Sequence, residues 1–522
     1  MKAEQSQGLI KGALLLTVAG FIGKMLSAGY RIPLQNLTGD TGFYIYQQVY
    51  PILGVALMLA LYGFPSAVSR LTAENDRELG SGSRAFYGRI WLALAILNGL
   101  FFIMLYGGAQ FLAHMTGDPS LANGYRVTAF VFLLIPFTSL LRGVMQAHGN
   151  MVAIAGSQVT EQFARALIIT FGAFLITQTS ANLYDIVVIG AAAQITGAVL
   201  AIIVLVLFWR RDSAVYQTKA VASSLSGFYI FKVIAGFGLL AALNHMTLIV
   251  IQAVDMLTLV PHLEDYGLTK QNAMTAKGII DRGQPLVQLG TVLGSSFALA
   301  LVPTITKQGL KQEGPIRRAL AFSFYLAGGA TIGLVLIFPE TNTLLYENGE
   351  GTGALRILGL ALLLSSISIT GVSILQSIGL MKWTGLLIVS AGIIKWIGNM
   401  AFVPMWGLKG SAAATVVALG LLTAAVLVLL YIKLPGLSYK GVIRWRAFSL
   451  AGSGMAGLLL AVKVLLPFSL ITSRLVLTLY VTGLVGAGAV VYITILIKLR
   501  ALDDDDISML PFASKLMKLR KG

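Results

Sequence analysis

Residues 157–168 read SQVTEQFARALI and place Glu161 and Arg165 four positions apart inside an otherwise apolar run, 151–176. On a helix that spacing sets a carboxylate and a guanidinium on one face, one turn apart, so the two are expected to touch. Other apolar runs carry Lys24 and Arg31, Asp255, Asp281 and Arg282, Lys395, and Lys463. A charge at a bilayer centre costs at least about 2.5–3.5 kcal/mol, so such residues turn toward a bundle interior or a wet cavity. Basic residues outnumber acidic ones in this set, which suits an anionic substrate rather than a cationic one. Arginine offers a planar fork for phosphate oxygens and lysine a point charge. Asp255 and Asp281 are candidates for proton or sodium coupling, with a structural role standing equally beside it. Lys463, near a helix end, is expected to snorkel to the interface, and Lys395 needs a partner such as a carboxylate, a headgroup or substrate.

The rest of the chain defines the solvent for these charges. Of its 522 residues 57% are hydrophobic and only 11% charged, against about 25% charged in a soluble domain. Segments near the spanning length of about 20 residues recur fourteen times, from 9–36 and 43–69 through 228–259 and 278–305 to 475–498. In lipid the backbone must pair within its own segment, and short alternating strands are missing. The expected fold is therefore an all-α integral membrane protein of about fourteen transmembrane helices. The chain has no cysteine and four scattered histidines, so neither a metal cluster nor a cofactor is expected. It has no G-x-x-x-x-G-K-[ST] loop for ATP, and no strong catalytic constellation; an enzyme is not expected.

Basic residues gather in alternate connections, including Arg70, Arg77, Arg84 and Arg89, then Arg142, then Arg210 and Arg211. The positive-inside rule puts that set, and both termini, in the cytoplasm. The formal net charge of +17 is mostly this topogenic charge. It speaks for anionic lipid headgroups rather than nucleic acid. The opposite connections are acidic or neutral, such as PETNTLLYENGEG at 339–351. At the C-terminus, DDDD at 503–506 precedes a short amphipathic segment, expected to lie on the inner leaflet.

A repeat organises the helices. With one constant offset, Arg126 matches Arg356, Gln146 matches Gln376, Gly149 matches Gly379, Met151 matches Met381, and Arg165 matches Lys395. Six helices separate the copies, so they run parallel and imply two pseudo-symmetric six-helix lobes. The lobes are expected at 1–220 and 221–437, with two further helices at 438–500 and a cytoplasmic tail at 501–522. Facing lobes with a basic cavity are a transporter layout, and a lipid-linked sugar diphosphate meets the charge requirement.

Two stretches, GKMLSAGYRIPLQNLTGDTGFYIYQQVYPILGVALMLALYGFPSAVSRLTAE and SQVTEQFARALI, resemble the polysaccharide-transporter branch of the MOP flippase superfamily. The resemblance extends over essentially all the helices. It implies alternating access and the carriage of an undecaprenyl-diphosphate-linked oligosaccharide or cell-wall precursor from inner to outer leaflet. It also implies that basic residues of the first and eighth helices meet the diphosphate. GKMLSAGYR places Lys24 on the family's first arginine; Arg31 falls one position beyond the second, which is Tyr30 here. IIDRGQP places Arg282 on the motif arginine. A cation-coupled multidrug exporter of the same superfamily and a membrane glycan polymerase are the alternatives. The basic excess opposes the first, and the short outer connections oppose the second.

Overall fold

The computed structural model describes residues 2–79, 84–179, 181–212, 225–300, 313–471, 473–502 and 517. Every regular element among the described residues is helical. The chain divides into two compact units, Met1–Gly278 and Ile279–Gly522.

The first unit carries α1 (Lys2–Gly29), α2 (Arg31–Met58), α3 (Phe64–Leu79), α4 (Arg84–Met115), α5 (Ala122–Ala129), α6 (Ile135–Ala147), α7 (Met151–Gln178) and α8 (Asp185–Arg211). It continues with α9 (Gly227–Lys232), α10 (Leu239–Leu243), α11 (Thr247–Asp265) and α12 (Lys270–Asp281), which runs to the start of the second unit. Its main packing pairs are α7 with α8, α1 with α7, and α3 with α6. The second unit has α13 (Gly283–Ala300), α14 (Gly314–Leu336), α15 (Phe338–Tyr346), α16 (Thr352–Gly359), α17 (Ala361–Ser377), α18 (Met381–Trp406) and α19 (Leu408–Lys433). It ends with α20 (Trp445–Leu465) and α21 (Arg474–Lys498), whose apolar faces close on α14. There Phe448 and Tyr492 lie directly over Gly328 and Gly329.

Twelve helical spans among the described residues are long and apolar enough to cross a membrane. The difference from fourteen has two sources. The first span, Val18–Asp76, is 59 residues, roughly 90 Å of helix at about 1.5 Å per residue and far longer than one crossing. It breaks at Gly39, where φ is +67°, a conformation that glycine adopts without steric cost. The eighth expected segment, 278–305, runs into residues outside those described. So does the expected surface segment after 503–506, apart from Met517.

α7 shows the logic of the bundle. Phe163, Leu167 and Phe171 are 52%, 54% and 63% exposed, while Gln158, Glu161 and Arg165 on the other side are buried. A helix that turns its apolar side chains out and its charges in is built for lipid.

Two expectations change. The segment 228–259 is not one continuous helix. It passes through a π-helical turn at Val233–Gly238 and breaks before α11, where the Asn244 amide donates to the Leu240 carbonyl at 2.8 Å. A second π-helical turn, Leu59–Gly63, packs against it. A Cβ at Gly63 would stand 2.6 Å from the Gly238 carbonyl, so this contact requires glycine. The stretch 339–351 is not a plain loop, because its first part forms α15 and buries Glu340 and Asn342 completely.

The repeated stretches build the same local structure. The helices before the turn break at Phe130 and at Leu360. Gly149 and Gly379 each reverse the chain at positive φ, +75° and +85°, as helix C-termini commonly do. New helices then start at Met151 and Met381.

Candidate functional site: a buried arginine network

In the first unit Glu161 does not touch Arg165 directly. Its Oε2 accepts from Arg142 Nη2 at 2.7 Å, an ion pair with both side chains out of contact with solvent. Its Oε1 accepts from Gln194 Nε2 at 2.9 Å, and Gln194 Oε1 accepts from Arg165 Nη1 at 2.9 Å. The expected contact is thus replaced by a bridge through α8. Spacing along α7 allows the Glu161–Arg165 pair, but Arg142 on α6 and Gln194 on α8 take both carboxylate oxygens. α8 comes this close because Gly197 has no side chain: a Cβ there would meet the Glu161 carbonyl oxygen at 2.8 Å.

The charge pattern puts Arg142 in the cytoplasmic basic set. The structure buries it fully and anchors it three ways. Besides Glu161, Nε donates to Ser157 Oγ at 3.1 Å and Nη1 to the Ala60 carbonyl at 3.3 Å. Its neighbour Gly143 lets α6 press against α3, for a Cβ there would meet Val68 and the Pro65 carbonyl.

Arg165 also donates Nη2 to Gln162 Oε1 at 2.5 Å and to Ser27 Oγ at 3.5 Å. Ser27 receives a second guanidinium, Arg31 Nη2, at 3.4 Å. Arg31 is fully buried, with its guanidinium carbon 3.8 Å from the centre of the Tyr50 ring. Such cation–π stacking is worth more when desolvated, about 2 kcal/mol. Arg165 lies 5.8 Å from the Tyr30 ring, and Tyr30 and Tyr46 share a hydroxyl hydrogen bond of 2.6 Å. Nε and Nη1 of Arg31 and Nε of Arg165 make no hydrogen bond. This network thus links three guanidinium groups and one carboxylate, an excess of positive charge with spare donors on Arg31 and Arg165.

Lys24, one turn before Ser27 on α1, has an exposed side chain. Asp255 on α11 is buried in the same unit.

In the second unit Arg282 is fully buried at the break between α12 and α13, next to buried Asp281. Its Nη1 donates to Asn348 Oδ1 at 2.6 Å, its guanidinium lies 5.4 Å from the Tyr346 ring, and its carbonyl accepts from the Tyr346 hydroxyl at 2.8 Å. Lys395 is fully buried and donates Nζ to Ser411 O and Oγ at 2.8 and 3.1 Å. Arg165 and Lys395, matched in sequence, thus each bond to the helix that follows their own. Lys463 also departs from expectation. It does not simply snorkel, for its Nζ stands 2.8 Å from Glu340 Oε1 and 2.9 Å from the Leu336 carbonyl. No group of three or more His, Cys, Asp or Glu residues suited to a metal occurs among the described residues.

Charges turned inward and apolar side chains turned outward over many spanning helices define a multi-pass integral membrane protein. The family model described as "Polysaccharide biosynthesis protein" matches residues 9–309. An uncharacterised membrane protein of Bacillus subtilis (strain 168), YabM, is 34% identical over 98% of this chain and 96% of its own length. The lipid II flippase MurJ of the same organism is 24% identical over 88% of each chain, and its stage V sporulation protein B is 23% identical over 98% of this chain and 99% of its own. Among solved structures, lipid II flippase MurJ in an inward closed conformation aligns with a TM-score of 0.70 at 12% identity, over 93% of this chain and 99% of that one. An inward-facing multidrug resistance MATE transporter aligns at 0.60 with 16% identity, over 79% and 95%. The chain belongs to the polysaccharide biosynthesis protein family, in the polysaccharide-transporter branch of the MOP flippase superfamily.

Proposed function

We propose that this protein is a flippase that carries an undecaprenyl-diphosphate-linked oligosaccharide or cell-wall precursor from the inner to the outer leaflet by alternating access. The observation that supports it most is the excess of buried positive charge within apolar spans: Arg31, Arg142, Arg165 and Lys395 against Glu161 and Asp255, with spare donors on Arg31 and Arg165. Buried cations are costly, and an anionic cargo is a reason to keep them. Lys24, Arg31 and Arg282 are assigned to the diphosphate, Lys395 is a further cavity candidate, and Asp255 and Asp281 are assigned to proton or sodium coupling. The two lobes at 1–220 and 221–437, and cytoplasmic termini, belong to the same reading. So does a non-enzymatic role, with the membrane potential supplying about 2.3 kcal/mol per charge at 100 mV.

The multidrug-exporter reading has the MATE structural likeness on its side, but a cationic drug has no use for this charge balance. The deciding experiment is a flipping assay in proteoliposomes with a panel of undecaprenyl-linked sugars, with and without ion gradients. Movement of at least one lipid-linked sugar supports the proposal. Transport of cationic drugs without any lipid-linked sugar would replace it.

A further inference from the structure

A cleft of about 280 Å³ opens at one end of the first unit, where the turn before α5 meets the start of α8. Its rim carries Ser120, Asn123, Asn182, Tyr184 and Asp185, and Leu121 and Val187 line its floor. We propose that this cleft binds a neutral sugar ring, on the outer face of the membrane.

One carboxylate braces the walls. Asp118 is buried and accepts from the Tyr184 hydroxyl at 2.8 Å, the Tyr44 hydroxyl at 3.3 Å and the Ser120 amide at 3.2 Å. It thereby ties α2, the turn before α5 and the start of α8 around the cleft. Burial, together with Asp118, pushes the Tyr184 hydroxyl above the ordinary phenol range, so it stays a protonated donor and its ring orientation is held. The Asn182 side-chain carbonyl caps the Tyr184 amide at 3.0 Å, and the residue is exposed, so its amino group is a spare donor. Among the described residues, the Asn123 amide and the Asp185 carboxylate make no side-chain hydrogen bond. Close packing forms the floor, since a Cβ on Gly124 would come 2.7 Å from Val187.

The chemistry of the rim selects the ligand. Two amides, a carboxylate, a hydroxyl and an aromatic ring supply alternating donors and acceptors for a polyol beside an apolar wall. The lining holds no lysine or arginine and one carboxylate, which disfavours phosphate. The volume is just below the range of about 300–1,000 Å³ for drug-sized ligands and suits a single ring. The topogenic charge pattern places this end outside, away from the basic connections. The role of such a site, receiving the glycan end of the cargo, rests on the flippase reading.

Saturation-transfer NMR on the full chain in nanodiscs, with N-acetylglucosamine, glucose and glucose 1-phosphate, tests the site without any transport. The neutral sugars should give a saturable signal, and the phosphorylated one a weaker one. Asn123→Ala combined with Asn182→Asp, both at exposed positions, should weaken binding at least ten-fold at nearly unchanged melting temperature, because the aspartate keeps the oxygen that caps the Tyr184 amide and loses only the amino group. Displacement by an undecaprenyl-linked sugar assigns the ring to the cargo; displacement by free sugars alone assigns it to a soluble glycan and overturns the cargo role. No saturable signal, or equal binding by the double variant, overturns the site. Because the chain is cysteine-free, Asn123→Cys can be labelled singly, and a membrane-impermeant maleimide should reach it on intact cells. Labelling only after permeabilisation would overturn the outer placement. Sugar binding without flipping would refute the flippase reading alone, and flipping without sugar binding would refute this proposal alone.

Discussion

Arg142 Nη2 and Glu161 Oε2 lie 2.7 Å apart across two helices, with neither side chain in contact with solvent. Removing one member of a buried pair leaves an uncompensated charge and costs about 3–5 kcal/mol. Glu161→Gln and Arg142→Gln should therefore each lower the melting temperature in detergent strongly. The double variant should be milder than the sum of the two. Strict additivity would show that the pair carries no coupling.

The Gln194 bridge depends on a close approach of helices. Gly197→Ala would push α8 away from the Glu161 backbone, which its Cβ would meet at 2.8 Å. Overpacking of this kind typically costs about 1–3 kcal/mol. A thermal-stability assay should show that loss, and an unchanged melting temperature would mean that α8 yields without cost.

Lys463 and Glu340 make the corresponding prediction for the C-terminal helices. Glu340 is fully buried, and Lys463 retains about a fifth of its side-chain exposure. Lys463→Met should destabilise the protein by about 3 kcal/mol, near the lower end for a broken buried pair. Adding Glu340→Gln should restore much of it. If Lys463 only snorkelled, Lys463→Met would be nearly silent.

What the sequence makes legible follows from what each signal measures. Apolar run length is a property of the chain alone, so α7 and α21 lie within a few residues of the apolar run 151–176 and the expected segment 475–498. The matched Gly149 and Gly379 became matched helix ends because positive φ is a local demand. Side-chain partners are not local. Helical spacing sees only residues on the same helix, so it paired Glu161 with Arg165 and missed Arg142 and Gln194 on other helices. Charge counting by connection placed Arg142 with the basic loops, because its position near a helix end resembles that of an interfacial arginine. The short helix α15 was hidden by its polar composition: Glu340 and Asn342 read as loop residues until Lys463 and α16 cover them.

Asn348 offers a check on how Arg282 is held. Its carbonyl oxygen is 2.6 Å from the Arg282 guanidinium. Asn348→Ala should free that donor and change the apparent substrate affinity more than the maximal flipping rate. Concentration-dependent flipping assays separate the two, and a loss of protein without a kinetic change would mark Asn348 as purely structural.

The central claim is that buried basic residues meet an anionic lipid-linked cargo, and Arg282 tests it most directly. Flipping of undecaprenyl-linked sugars would be measured in proteoliposomes at matched protein levels for the unaltered chain, Arg282→Lys and Arg282→Ala. The account predicts near-complete loss for Arg282→Ala and partial recovery for Arg282→Lys, because a point charge cannot replace a bidentate fork. Flipping by a folded Arg282→Ala at the unaltered rate would contradict it.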